Sequence, residues 1–260
     1  MRKKTCFIHS HLTAPLRLDL ISSVTTDTQP KFQYEADEPL QINEVPEPRT
    51  ENYFAPTLSL IPPNSSISQS GYRNDLPIFS EMRHLIQLHE SFKSTHGGTA
   101  PDYQSFSKKR LMLEHRLFSA YHQVPFPLLE PYIEEACRTA VAIYINSVLH
   151  EFDPVFGVVE KLTKRMKKII SCGQVTRVHR EEEDGLLLMW ALFIGGQVSD
   201  EAVERDWFGI KISVIIKTSR LKSRQEVEGC LIKVFRTTRM HDASYESLWI
   251  SIQRNLNIFE

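Results

Sequence analysis

From about residue 76 onward, apolar side chains recur every third or fourth position, the period of an α-helix rather than the alternation of a strand. Ile78, Met82, Leu85, His89 and Phe92 form one such stripe, and Gly97-Gly98 ends it. Phe106, Leu113, Leu117 and Tyr121 mark a second helix, stopped by Pro125 and Pro127. Pro131 stands where a first helical turn accepts proline, and a helix through about Glu151 comes next, with Ile133, Ala136, Cys137, Ala140, Tyr144 and Val148. Pro154 separates it from an amphipathic helix at about 155–171. That helix carries Val155, Val158, Val159, Leu162, Met166, Ile169 and Ile170 on one face and Lys161, Lys164, Arg165, Lys167 and Lys168 on the other. Gly173 is its stop signal, and 174–184 read as an exposed polar loop.

The stretch from Leu186 to Ile194 is apolar on all sides. With helical patterns around it and no partner strand, it predicts a buried central helix ended by Gly195-Gly196. Ser199 or Asp200 is placed to cap the next helix, whose stripe is Val203, Trp207, Ile210, Val214 and Leu221. Ser223-Arg224-Gln225-Glu226 matches a capping box, continued by Val227, Leu231, Val234 and Thr238. Asp242 or Ser244 opens a last helix with Tyr245, Leu248, Trp249, Ile252 and Leu256. The expected fold is all-α: a compact array of about eight antiparallel-packed helices over residues 76–260.

Residues 1–75 differ. They hold eight of the 14 prolines and the flexible run Ser65 to Gly71, and their apolar residues keep no helical period. A largely disordered segment with a few extended contacts is expected. Within it, 32–54 mix Phe32, Tyr34, Leu40, Ile42, Val45, Tyr53 and Phe54 with acidic residues, the composition of an acidic activation segment or of a solvated linker. Met1 to Lys4 are basic at the lysines and Arg2. His9, His11, Pro15, Arg17 and Asp19 then break up any apolar run behind them, so no signal peptide is expected. No run reaches the length that a membrane-spanning helix needs, and a soluble chain is expected.

Charge alters this picture little. Lys and Arg number 31 against 32 for Asp and Glu, so no global basic field draws the chain to nucleic acid. The basic face at Lys161–Lys168 lacks interleaved aromatics and reads as a solvated face. Cys6, Cys137, Cys172 and Cys230 lie far apart, which fits neither a disulfide framework nor a zinc site. Glu81 and His84 share a helical face in E-x-x-H spacing, but no second set accompanies them. His115 and His122 share a face of the second helix; His84 and His89 do not. No H-E-x-x-H, G-x-S-x-G or phosphate-cradling glycine loop occurs. The expectation is therefore a non-enzyme with no catalytic, cofactor-binding or metal-binding residues.

Three stretches resemble the C-terminal regulatory region of fungal binuclear zinc-cluster transcription factors: Cys137 to Leu149, Leu186 to Gly196, and Arg205-Asp206-Trp207-Phe208 through Ser223 to Val227 and on to Leu248-Trp249. The second is similar to the family's L-x-W-x-L-F-I-G-G helix. The likeness covers about 76–260 and implies an all-helical regulatory domain without catalytic residues, located in the nucleus. Its implied partners are regulatory proteins or the transcription machinery, with no membrane association and with a homodimer left open. The family's DNA-binding module is a cluster of six cysteines, and this chain has only Cys6 before Cys137, so sequence-specific DNA binding is not carried over. The alternatives are a cytosolic helical adaptor and, third, an enzyme whose site is assembled from scattered residues.

Overall fold

A helix without a polar face persists in water only when other elements cover it on every side, and the stretch from Leu186 to Ile194 is covered in this way. The computed structural model describes residues 18–19, 21–23, 77–94, 100–119, 131–149, 157–172, 182–234 and 243–257. Among the described residues all regular structure is helical and no strand occurs. Leu18, Asp19, Ile21, Ser22 and Ser23 are helical (α1). Eight longer helices come after it: α2 (Pro77–Ser94), α3 (Ala100–Ser119), α4 (Pro131–Val148), α5 (Val158–Cys172), α6 (Glu182–Gln197), α7 (Ala202–Thr218), α8 (Arg224–Val234) and α9 (Ala243–Asn257). Every side chain from Leu186 to Ile194 is buried, and α4, α7, α8 and α9 all pack on α6.

Side-chain pairs fix the directions of the neighbours. Between α2 and α3, Glu81 meets Arg116, His84 meets Lys109, and His89 stacks on Phe106, so one helix ascends as the other descends. Asn146 donates to Glu114 and Arg110 to the Leu149 carbonyl, which makes α3 and α4 antiparallel. Asp206 accepts from Ser251 and pairs with Arg254, and Gly209 lies against Ser251, so α7 and α9 are antiparallel as well. The α2–α3 pair joins the core through Phe79, whose ring meets Trp190 of α6 edge-on at 5.3 Å.

Several local expectations need correction. Gly195 and Gly196 do not end α6, which runs on to Gln197. They are buried, and they provide room: a Cβ on Gly195 would lie 2.7 Å from Phe208 and 2.8 Å from Met166, and one on Gly196 would lie 2.8 Å from Leu248. Neither Ser199 nor Asp200 caps α7. The N-cap is Glu201, without a side-chain cap bond, while the Ser199 hydroxyl donates to the Gly195 carbonyl and Arg205 donates to the carbonyls of Ser199 and Asp200. The loop expected at 174–184 is cut short, because Glu182 to Asp184 already form the first turn of α6 and Asp184 is buried. Helix α4 ends at Val148 rather than near Glu151. Gly157, at φ +85°, leads into α5, which starts at Val158.

At α8 the capping box is half met. The Ser223 hydroxyl accepts from the Glu226 N–H at 3.2 Å, whereas the Glu226 carboxylate accepts from Lys222, one residue before the expected partner. Helix α7 closes with Arg220 in a left-handed conformation and with N–H bonds from Arg220 to the Lys217 carbonyl and from Leu221 to the Ile216 carbonyl, a Schellman arrangement. In the N-terminal segment, α1 is helical rather than extended, and Ile21 packs against the core. The acidic-aromatic stretch 32–54, Cys6, Gly97-Gly98, Tyr121, His122, Pro125, Pro127, Glu151, Pro154, Val155, Gly173, Thr238 and Asp242 lie outside the described residues, as do the side chains of Ile78 and Phe92.

One helical glycine stands in open space. An added Cβ at Gly229 in α8 would meet nothing within 4 Å. Gly229→Ala is therefore expected to stabilise the fold by about 0.5–1 kcal/mol through helix propensity alone. Urea unfolding checks this, and an unchanged or lower midpoint contradicts it.

Candidate interaction surface

The residues that suggested chemistry in the sequence are engaged with one another. Glu81 is ion-paired with Arg116. His84, one turn along, takes a 2.8 Å hydrogen bond at Nε2 from the Lys109 ammonium. Burial, and then the Lys109 charge, lower the His84 pKa; burial lowers that of Lys109. The two halves of the E-x-x-H pair thus bind two different cations of α3 instead of converging on one point. His115 lies 3.3 Å from the Ser119 hydroxyl on its own helix. Cys137 is buried, its thiol pushed well above the ordinary range by burial and by the Asp184 and Glu134 carboxylates, and it donates to the Leu187 carbonyl at 3.8 Å. Among the described residues no three His, Cys, Asp or Glu side chains gather as a metal set, and no helix is long and apolar enough to cross a membrane.

The lowered His84 pKa has a definite sign. The folded state binds fewer protons than the unfolded state near the imidazole pKa, so its contribution is complete above that pKa. It is lost as the pH falls through the unfolded and then the folded value. His84→Gln, which keeps an acceptor for Lys109 but cannot titrate, is expected to flatten the fall in melting temperature between about pH 7 and pH 5. Equal slopes for the two proteins contradict the assignment.

The basic face of α5 is knitted to acids. Lys164 binds Glu160 at 2.5 Å, Arg165 reaches Glu135 of α4 at 3.2 Å, and Lys167 reaches Glu204 of α7 at 3.1 Å. Lys161 and Lys168 are exposed. This distribution places carboxylates where nucleic-acid phosphates would otherwise bind.

The unexpected surface is on α7. Of the stripe Val203, Trp207, Ile210 and Val214, read from the sequence as core-facing, three members point outward: Val203 is 79% exposed, Ile210 41% and Val214 39%, whereas Trp207 is half-buried and packs against the core. Its fifth member, Leu221, lies past the helix end and does pack against the core. The face turned inward is Phe208, Gly209, Ile212, Ser213, Ile215 and Ile216. Size decides between two apolar faces. Gly209 lets α9 come close, with Ser251 lying where a Gly209 Cβ would stand, and Phe208 fills the space left by Gly195. Val203, Ile210 and Val214 are left to water.

Trp207 ties this stripe to the core. Its ring meets Phe208 edge-on at 5.0 Å, and the ammonium groups of Lys167 and Lys211 lie 5.8 Å and 5.6 Å from its centroid. Ile250 of α9, 56% exposed, is one turn before Arg254, which pairs with Asp206. An aromatic anchor set among apolar side chains and flexible cations is the make-up of a protein-contact surface. The signal is present in the sequence, since α7 is apolar on two sides while only one can face a core. Compared with family models, with curated proteins and with solved structures, the chain gives no match.

Proposed function

We propose that this chain is a regulatory domain of the fungal transcription-factor type, acting through protein contacts in the nucleus and not as an enzyme. The all-helical body agrees with what the resemblance over 76–260 implies. The observation that carries the reading is the outward set Val203, Ile210 and Val214, with the half-buried Trp207 beneath it, because a monomeric helical scaffold has no use for a second apolar face on α7. The six-cysteine module does not occur within these 260 residues, so the reading assigns them no DNA recognition of their own.

The full chain fused to a foreign DNA-binding domain is expected to change reporter output and to accumulate in the nucleus. Ile210→Lys, at an exposed position, is expected to reduce that change several-fold without altering fusion abundance. Wild-type fusion with no effect on transcription, together with purely cytosolic partners in pull-downs, would instead support the adaptor reading.

A further inference from the structure

We infer that α2 is an acid-released cover over α3 and α6, with the contact between His84 and Lys109 as its catch. Helix α2 is the first of the long helices. It lies against α3 and meets α6 through the Phe79 and Trp190 rings. Phe79, Met82, Leu85 and Ile86 are all buried in its docked position. Undocking α2 bares these four side chains and the Trp190 ring, while α4, α7, α8 and α9 stay packed on α6. The inference does not involve the outer residues of α7, so it stands or falls apart from the proposed function.

His84 accepts at Nε2 from an ammonium 2.8 Å away, and an imidazole nitrogen accepts only while it carries no proton. Protonation replaces that hydrogen bond with two cations in contact. The surroundings give the new charge little relief. Glu81, one turn back on α2, is committed to Arg116 of α3. Arg83 is the next residue along, and the exposed Lys108 is the neighbour of Lys109. His115 of α3 lies by Ser119 of its own helix, and α6 brings the Trp190 ring to α2. His89, the other imidazole of α2, stacks on Phe106, a ring that the Arg110 guanidinium also approaches at 5.9 Å. Burial acts in the same direction as Lys109 and holds the docked His84 below its ordinary pKa. Once undocked, the ring titrates at an ordinary value of about 6.5, so the ratio of undocked to docked α2 rises by up to ~10-fold from about pH 7.5 to pH 5.5. A partner that needs the uncovered surface gains affinity in acid by the same factor.

Amide exchange of the full chain, corrected for the intrinsic effect of pH, measures the opening of α2. The amides from Met82 to His89 should open as a group, at least ~10-fold more often than those in the middle of α6, which marks a release separate from global unfolding. Their opening should rise roughly 3–10-fold from about pH 7.5 to pH 5.5. His84→Gln keeps an acceptor for Lys109 and should cut that rise several-fold. In the wild type the His84 ring, followed by NMR, should titrate below the ordinary imidazole range, a measurement that needs no variant. Opening of α2 only together with α6, α2 opening unchanged in acid, an equal rise in His84→Gln, or a His84 ring titrating at or above its ordinary value would each overturn the proposal.

Discussion

Trp190→Ala lowers the unfolding free energy by about 3–5 kcal/mol, a third or more of what a domain of this size holds in total. The indole lies fully inside, in the middle of α6, with the Phe79 ring against it edge-on at 5.3 Å. Truncation removes buried area and leaves a space that helices on several sides cannot all close around. It also takes away the surface on which α2 is seated, so the α2–α3 pair should lose amide-exchange protection before the rest. Trp190→Phe, which keeps an aromatic partner for Phe79, should cost less than half as much. Urea titration of the three proteins measures this, and a loss below about 1 kcal/mol for Trp190→Ala would show that α2 does not depend on α6.

Gly195→Leu should be as damaging for the opposite reason. The first atom of any side chain there would stand 2.7 Å from the Phe208 ring and 2.8 Å from the Met166 sulfur, and both neighbours are fully buried. Met166 can bend; the Phe208 ring has no solvent to swing into. Separating α6 from α7 should cost about 3 kcal/mol or more. Gly195→Ala gains about 1 kcal/mol of helix propensity and should still be a net loss. Adding Phe208→Leu to Gly195→Ala should recover part of that loss, since it vacates the space in conflict. A Gly195→Ala protein more stable than wild type would rule out the close approach. The contrast with Gly229, where nothing stands nearby, separates packing from propensity within one chain.

These two sites show what the sequence discloses. Leu186 to Ile194 is legible because composition alone leaves no polar side for water, whatever the neighbours are. The stripe of α5 is legible because one of its faces is clearly more apolar than the other, whereas α4 is buried on all sides from Thr139 to Asn146, beyond the stripe that its periodicity gives. Helix α7 defeats the same reasoning. Its regular stripe of Val203, Trp207, Ile210 and Val214 competes with Phe208, Ile212, Ile215 and Ile216, and periodicity ranks them equally. The fit of small residues decides, Gly209 against Ser251 and Gly195 against Phe208, and that fit belongs to pairs of helices and is invisible along one. Gly195-Gly196 misleads for a related reason: glycine is a common stop signal, and only the neighbouring ring shows that it is there to admit another helix. His84 and Lys109 are 25 positions apart, so their pairing becomes visible only once α2 and α3 are side by side.

The covering of α6 from so many directions also bears on how the chain emerges from the ribosome. Its coverers α7, α8 and α9 are all encoded after it. A nascent chain that has reached residue 200 carries the greasiest segment of the protein with much of its girth still bare, and that state persists until the final turns are made. Folding of this helical body is thereby postponed until α9 has been made, and a premature stop between α6 and α9 yields a product destined for chaperones and proteolysis rather than a shorter working version.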